Sequence, residues 1–142
     1  MDLKETYDFL LQPRRTRDEI WAKDLRRREL KACLLPAGVA YDKDRVQASP
    51  EDQMARIMAE VADLDHQIEE LRQRRALQIL EISQTICRIN DPREETILDA
   101  YYLGNASMGE IAEKMHYSIQ HIYDLRRRGV EKIRKIRNGS VL

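Results

Sequence analysis

The residues with the most chemical potential lie near the C-terminal end. Positions 118–138 hold seven basic side chains, Arg126, Arg127, Arg128, Lys132, Arg134, Lys135 and Arg137, against Asp124 and Glu131. The whole chain has a formal net charge of +0, so this stripe is a local concentration of charge. Such a stripe is the electrostatic footprint expected for a polyanion, and nucleic acid is the natural candidate. Ahead of it stand Ser118, Ile119, Gln120, His121, Tyr123 and Asp124. In a DNA groove a glutamine can read adenine with two hydrogen bonds, His and Asp can donate to or accept from base edges, and an isoleucine can touch a thymine methyl. Ser118 and Tyr123 are suited to phosphate oxygens. The salt-dependent affinity for the backbone would come from Arg126, Arg127, Arg128, Lys132 and Lys135. Three consecutive arginines fan over roughly 200–300° of a helix, so they cannot all face one ligand.

These residues need a frame, and the sequence around them supplies one. Ser107-Met108-Gly109-Glu110 is an S-x-x-E capping box that opens a helix of about eight residues with Met108, Ile111, Ala112 and Met115 inward. His116-Tyr117 makes a tight turn. Ser118 then caps a second helix whose inward residues are Ile122, Leu125, Gly129, Ile133 and Ile136, with Asn138-Gly139 as its stop. Two short capped helices around a tight turn are the helix-turn-helix pattern, spanning about residues 107–135. The small residues Ala112 and Gly129 permit close helix approach. Upstream, Asp91-Pro92-Arg93-Glu94 opens another helix carrying Ile97, Leu98, Tyr101 and Leu103, with Asp91 as cap and Glu94 placed to reach back to it; Gly104-Asn105 ends it.

The remaining two-thirds read as long helices. Residues 51–89 form one uninterrupted helix, roughly 55–60 Å long, with Ser49 as cap and Pro50 at the first position. Met54, Ile57, Val61, Leu64, Ile68 and Leu71 alternate at three and four residues as a coiled-coil seam, which falters at Arg75 and Gln78 and resumes at Ile79, Ile82, Ile86 and Ile89. Residues 3–34 read as helix broken at Pro13, with Leu3, Tyr7, Leu10 and Leu11 before the break and Ile20, Trp21, Leu25 and Leu34 after it. Trp21 and the Tyr101-Tyr102 pair are expected in cores or helix interfaces. Residues 35–50 form a loop containing Pro36 and Gly38. The fold class is all-α: an N-terminal antiparallel helical hairpin or coiled coil over residues 1–90, serving oligomerisation, followed by a small helix-turn-helix domain over residues 91–142. Arg26-Arg27-Arg28 is expected to pair with acidic residues of the long helix such as Asp63, Asp65, Glu69 and Glu70.

The stretch SMGEIAEKMHYSIQHIYDLRRRGVEKIRK resembles sigma-factor region 4 without gaps, and DPREETILDAYYLGNAS resembles the family's preceding helix. The layout of DRVQASPEDQMARI, a long helix and this C-terminal unit is similar to a family of small phage and prophage regulators. The resemblance implies double-stranded DNA binding and control of phage transcription. Two residues depart from the pattern. His116 stands where related turns often have Gly or Asp, a position that can require positive φ. Ile119 replaces a polar or basic contact residue, which points away from a standard promoter element.

Other classes fit less well. No nucleophile with a base, Gly-rich phosphate loop or metal-ligand cluster stands out, so no enzyme, cofactor or metal is expected. His66, Asp63, Asp65, Glu69 and Glu70 read as solvated helix surface. Cys33 and Cys87 fit no ligand spacing and suit reduced thiols in a cytoplasmic protein. There is no secretion signal, and no apolar run approaches the roughly 20 residues that span a bilayer. The partners expected are duplex DNA and a second copy of the chain, a dimer presenting two recognition helices. The alternatives are a sigma-like adaptor for RNA polymerase and a DNA-packaging subunit of small-terminase type.

Overall fold

A computed structural model describes residues 1–34 and 49–139. The loop expected over residues 35–50 lies, apart from Ser49 and Pro50, outside the described residues, as does most of the DRVQASP segment. The fold is all-α. Among the described residues, five α-helices and one π-helical turn follow in order: α1 Leu3–Ala32, α2 Pro50–Ile86, α3 Pro92–Leu98, the π-turn Asp99–Leu103, α4 Met108–Met115 and α5 Ile119–Arg137. None of the helices is long and apolar enough to cross a membrane, among the described residues.

The chain packs as two units, one formed by Met1–Arg17 with Arg74–Leu142 and the other by Asp18–Gln73. The second is a hairpin of α1 against α2. Lys23 Nζ donates to Gln67 Oε1 at 2.9 Å and Arg27 Nη1 to Asp65 Oδ1 at 2.8 Å, which fixes the two helices as antiparallel. Val61, Leu64, Ile68 and Leu71 are buried as the spacing predicts, while the seam frays at its start, with Ile57 half-buried and Met54 exposed. Arg27 joins Asp65 as expected, but it also binds Asp24, and Arg28 turns to Asp24 on its own helix. Trp21 is not packed between α1 and α2 among the described residues: it is 62% exposed, and Leu25 is exposed as well. The helical period explains this. Ile20, Lys23, Arg27 and Leu30 recur at three and four residues and are half-buried, which leaves positions 21 and 25 on outer faces.

The first unit contains a contiguous core in which Phe9 and Leu10 of α1, Ile82 and Ile86 of α2, Leu98 of α3, Tyr102 of the π-turn and Val130, Ile133 and Ile136 of α5 meet. A second cluster of Ile97, Met108, Ile111, Ala112, Ile122 and Leu125 joins α3, α4 and α5. The break expected at Pro13 does not occur; α1 runs through it, and Pro13 is buried. A mid-helix proline costs about 3 kcal/mol, since it has no N–H for the carbonyl four residues back. Burial of Phe9 and Leu10 beside it, about 1.5–3 kcal/mol for each large apolar side chain, offsets that cost. Arg75 Nε donates to the Pro13 carbonyl at 3.1 Å and the Thr16 hydroxyl to Gln78 Oε1 at 2.9 Å, so both polar residues where the seam falters bond back to α1.

Candidate nucleic-acid interface

Three caps set the directions of the helices around the recognition element. Asp91 accepts from the amides of Arg93 at 3.0 Å and Glu94 at 3.3 Å and starts α3. The Glu94 amide, followed by the amide and charge of Arg93, holds the Asp91 carboxyl below the usual carboxylate range. Ser107 accepts from the Glu110 amide at 3.1 Å, and Ser118 from the His121 amide at 3.1 Å. Between α4 and α5, His116 takes φ 60° and ψ 39°, the left-handed conformation anticipated for this turn.

The link from α3 to α4 was not foreseen as a π-turn. The Gly104 amide reaches back to the Asp99 carbonyl at 2.8 Å, five residues away. A Cβ at Gly104 would lie 2.9 Å from the Ala100 carbonyl oxygen, so the turn requires glycine there. It turns the adjacent tyrosines to different surroundings. Tyr102 is 2% exposed, and burial pushes its hydroxyl pKa up; that hydroxyl has no acceptor among the described residues. Tyr101 is half-buried, edge-on to Tyr102 with ring centroids 4.9 Å apart.

On α5 the inward residues Ile122, Leu125, Gly129, Ile133 and Ile136 are all buried. A Cβ at Gly129 would come within 2.9 Å of Leu98 Cδ1, so the residue lets α3 and α5 approach as closely as they do. The opposite face presents the candidate readers. Ser118, the cap, is exposed with Ile119, Gln120 and Tyr123; Ile119 is 53% exposed, although it is a large apolar residue. His121 is half-buried, edge-on to Tyr117 with centroids 4.8 Å apart. Asp124 is half-buried and forms an ion pair with Arg127 at 3.5 Å.

The basic stripe divides into groups with different duties. Arg127, Arg128 and Lys135 are exposed. Arg126 lies over the rings of Tyr101 and Tyr123, 4.8 and 5.5 Å from their centroids. Lys132 is committed elsewhere: its ammonium binds Glu94, which is 2% exposed. This pair also corrects the expectation for Glu94, whose carboxylate faces α5 instead of the Asp91 cap. The physical reason is burial, because a carboxylate removed from water needs a cation more than a further amide. Arg134 pairs with Glu131, and Arg137 with Glu81 at 3.0 Å while its guanidinium covers Phe9 at 3.7 Å. Sequence reasoning missed the Glu94–Lys132 pair and the Tyr101 platform. The only signal available for the first was a capping-box glutamate, which looks the same whether or not it is buried.

Residues 91–135 match the family model of Sigma-70, region 4. This segment is a helix-turn-helix similar to sigma region 4, a DNA-binding domain. The matched span covers α3, the π-turn, α4 and most of α5, ending before Arg137, which turns back to Phe9 and Glu81. No curated protein and no solved structure matches the chain. The first unit is therefore larger than the region 4-like segment, since it also takes in residues from α1 and α2. No group of three or more His, Cys, Asp or Glu that would hold a metal occurs among the described residues.

Proposed function

We propose that this protein is a sequence-specific duplex-DNA binder that regulates transcription, with α5 as its recognition helix in the major groove. The single observation that carries the reading is the region 4-like match, on a helix whose N-terminal outward residues Ile119, Gln120 and Tyr123 stand exposed. In this reading Gln120, His121, Asp124 and Ile119 address base edges, and Ser118 and Tyr123 address phosphate. Arg126, Arg127, Arg128 and Lys135 supply backbone affinity, whereas Lys132 braces α3 against α5. No step requires a catalytic group. The setting is phage or prophage transcription in the cytoplasm, as the resemblance in layout implies.

The chain acts as a dimer in this proposal, with residues 1–90 as the oligomerising part. Support comes from the apolar surface that the hairpin unit leaves exposed at Trp21, Leu25 and Met58. Selection from a random duplex pool at moderate salt tests both statements. An enriched motif supports the sequence-specific reader, and two-fold symmetry in it supports the dimer. DNA recovered without any motif supports a packaging subunit, and no recovery at low salt supports an adaptor for RNA polymerase. Replacing Arg126 and Arg127 with glutamate weakens binding to every sequence and flattens its salt dependence.

A further inference from the structure

We propose that Arg14 of α1, acting through the ring of Tyr101, positions Arg126 for a DNA phosphate. The inference rests on the DNA-binding reading of α5 and extends it to a helix outside the region 4-like segment. Tyr101 has a cation on it from each of two helices. The guanidinium carbon of Arg14 lies 4.7 Å from the ring centroid and that of Arg126 lies 4.8 Å from it. The two arginines use their N–H groups differently. Arg14 turns its donors inward, with Nη2 donating to the Tyr101 carbonyl at 2.9 Å and Nε to Asn105 Oδ1 at 3.4 Å. It thereby ties down both the backbone that carries the ring and Asn105, two residues past the π-turn. Tyr102, buried in the core, supports the same ring edge-on.

Arg126 is held against two rings, Tyr101 and Tyr123, and its N–H groups meet no acceptor among the described residues. A planar fork of donors is the group that fits a phosphate, and stacking on a ring does not use those donors. An arginine in open solvent loses rotamer freedom when a phosphate captures it, whereas one already stacked has lost much of it beforehand. Arg127 and Arg128, both exposed, have no such platform among the described residues. Arg14 is thus a positioning residue: it increases DNA affinity without being counted among the phosphate contacts.

The test uses the full chain and a mixed-sequence duplex, titrated by fluorescence anisotropy over a range of salt. Arg126→Gln lowers affinity and makes the salt slope shallower by about 0.9, the value for one phosphate contact. Arg14→Gln weakens binding by about 2- to 10-fold, the range set by the entropy of one immobilised side chain, and leaves the slope unchanged. Added to Arg126→Gln, it has no further effect, because the two act as a unit. Tyr101→Phe keeps the ring and binds as the parent does, while Tyr101→Leu falls to the level of Arg14→Gln. Should Tyr101→Leu lose its helical circular dichroism, the Arg14 and Arg126 cycle decides alone. If the parent binds but Arg14→Gln binds equally well, or its loss persists fully beside Arg126→Gln, the positioning role is overturned and the DNA reading stands. If the parent protein binds no duplex at any salt, the DNA reading itself fails and this inference falls with it.

Discussion

The two units of this chain are built from the same material, helix with a heavy load of charge, and arrive at different kinds of packing. In the unit holding α3, α4 and α5, helices from both ends of the chain meet. Ile82, Leu98, Ile122, Leu125, Val130 and Ile133 are at 0% exposure or nearly so. The hairpin unit has one buried row, Val61, Leu64, Ile68 and Leu71, and leaves Trp21, Met54 and Met58 in solvent. Its cross-helix ties are polar, Lys23 to Gln67 and Arg27 to Asp65. The difference shows where geometry has to be held firmly. A reading helix needs its outward side chains fixed by layers beneath them. A two-helix hairpin with polar cross-ties needs only enough burial to keep its two helices paired.

Substitutions in the two units should separate these roles. The largest effect is expected from Ile133→Ala, which opens a cavity where α1, α2 and α5 meet. It should cost about 2–5 kcal/mol in denaturant unfolding and lower DNA affinity with it. Next is Lys132→Met, which leaves the buried Glu94 carboxylate without its cation. A loss of about 1–3 kcal/mol is expected, because the penalty falls on the group left unpaired. Asp91→Ala removes the α3 cap and should cost about 0.5–2 kcal/mol at neutral pH. Its pH dependence has a definite sign. The folded pKa of Asp91 is depressed, so the cap contributes fully above the ordinary carboxylate value near 4. The contribution is lost as pH falls through the folded value. Thermal melts of the parent and Asp91→Ala should therefore converge in acid. The smallest effect belongs to the hairpin: Asp65→Asn, which weakens one partner of Arg27 while Asp24 remains, should change stability by less than about 1 kcal/mol. If Asp65→Asn proved as costly as Lys132→Met, the contrast between the units would not hold.

What could be read from the sequence was mostly local. The caps at Ser49, Asp91, Ser107 and Ser118 are each set by a side chain and an amide two or three residues away, and each forms as its spacing indicates. The left-handed turn at His116 and the buried face of α5 follow from equally short-range rules. The misreadings came from residues whose state depends on distant partners. Pro13 carries a strong local penalty, and only the packing of Phe9 and Leu10 overrides it. Glu94 fits a capping box by spacing, yet its carboxylate binds a lysine 38 residues away. Trp21 looked by type like a residue packed within the hairpin, but the face of α1 that pairs with α2 passes it by. Tyr101 became a platform only once α1 and α5 converged on it.

The central claim is that the N-terminal outward residues of α5 read base sequence. The most direct test is to repeat the duplex selection with Gln120 and His121 both replaced by alanine, beside the parent protein. The account predicts that the variant still recovers DNA through its arginines but enriches a changed or weaker motif at the positions those side chains address. An enriched motif identical to the parent's, at undiminished strength, would contradict it.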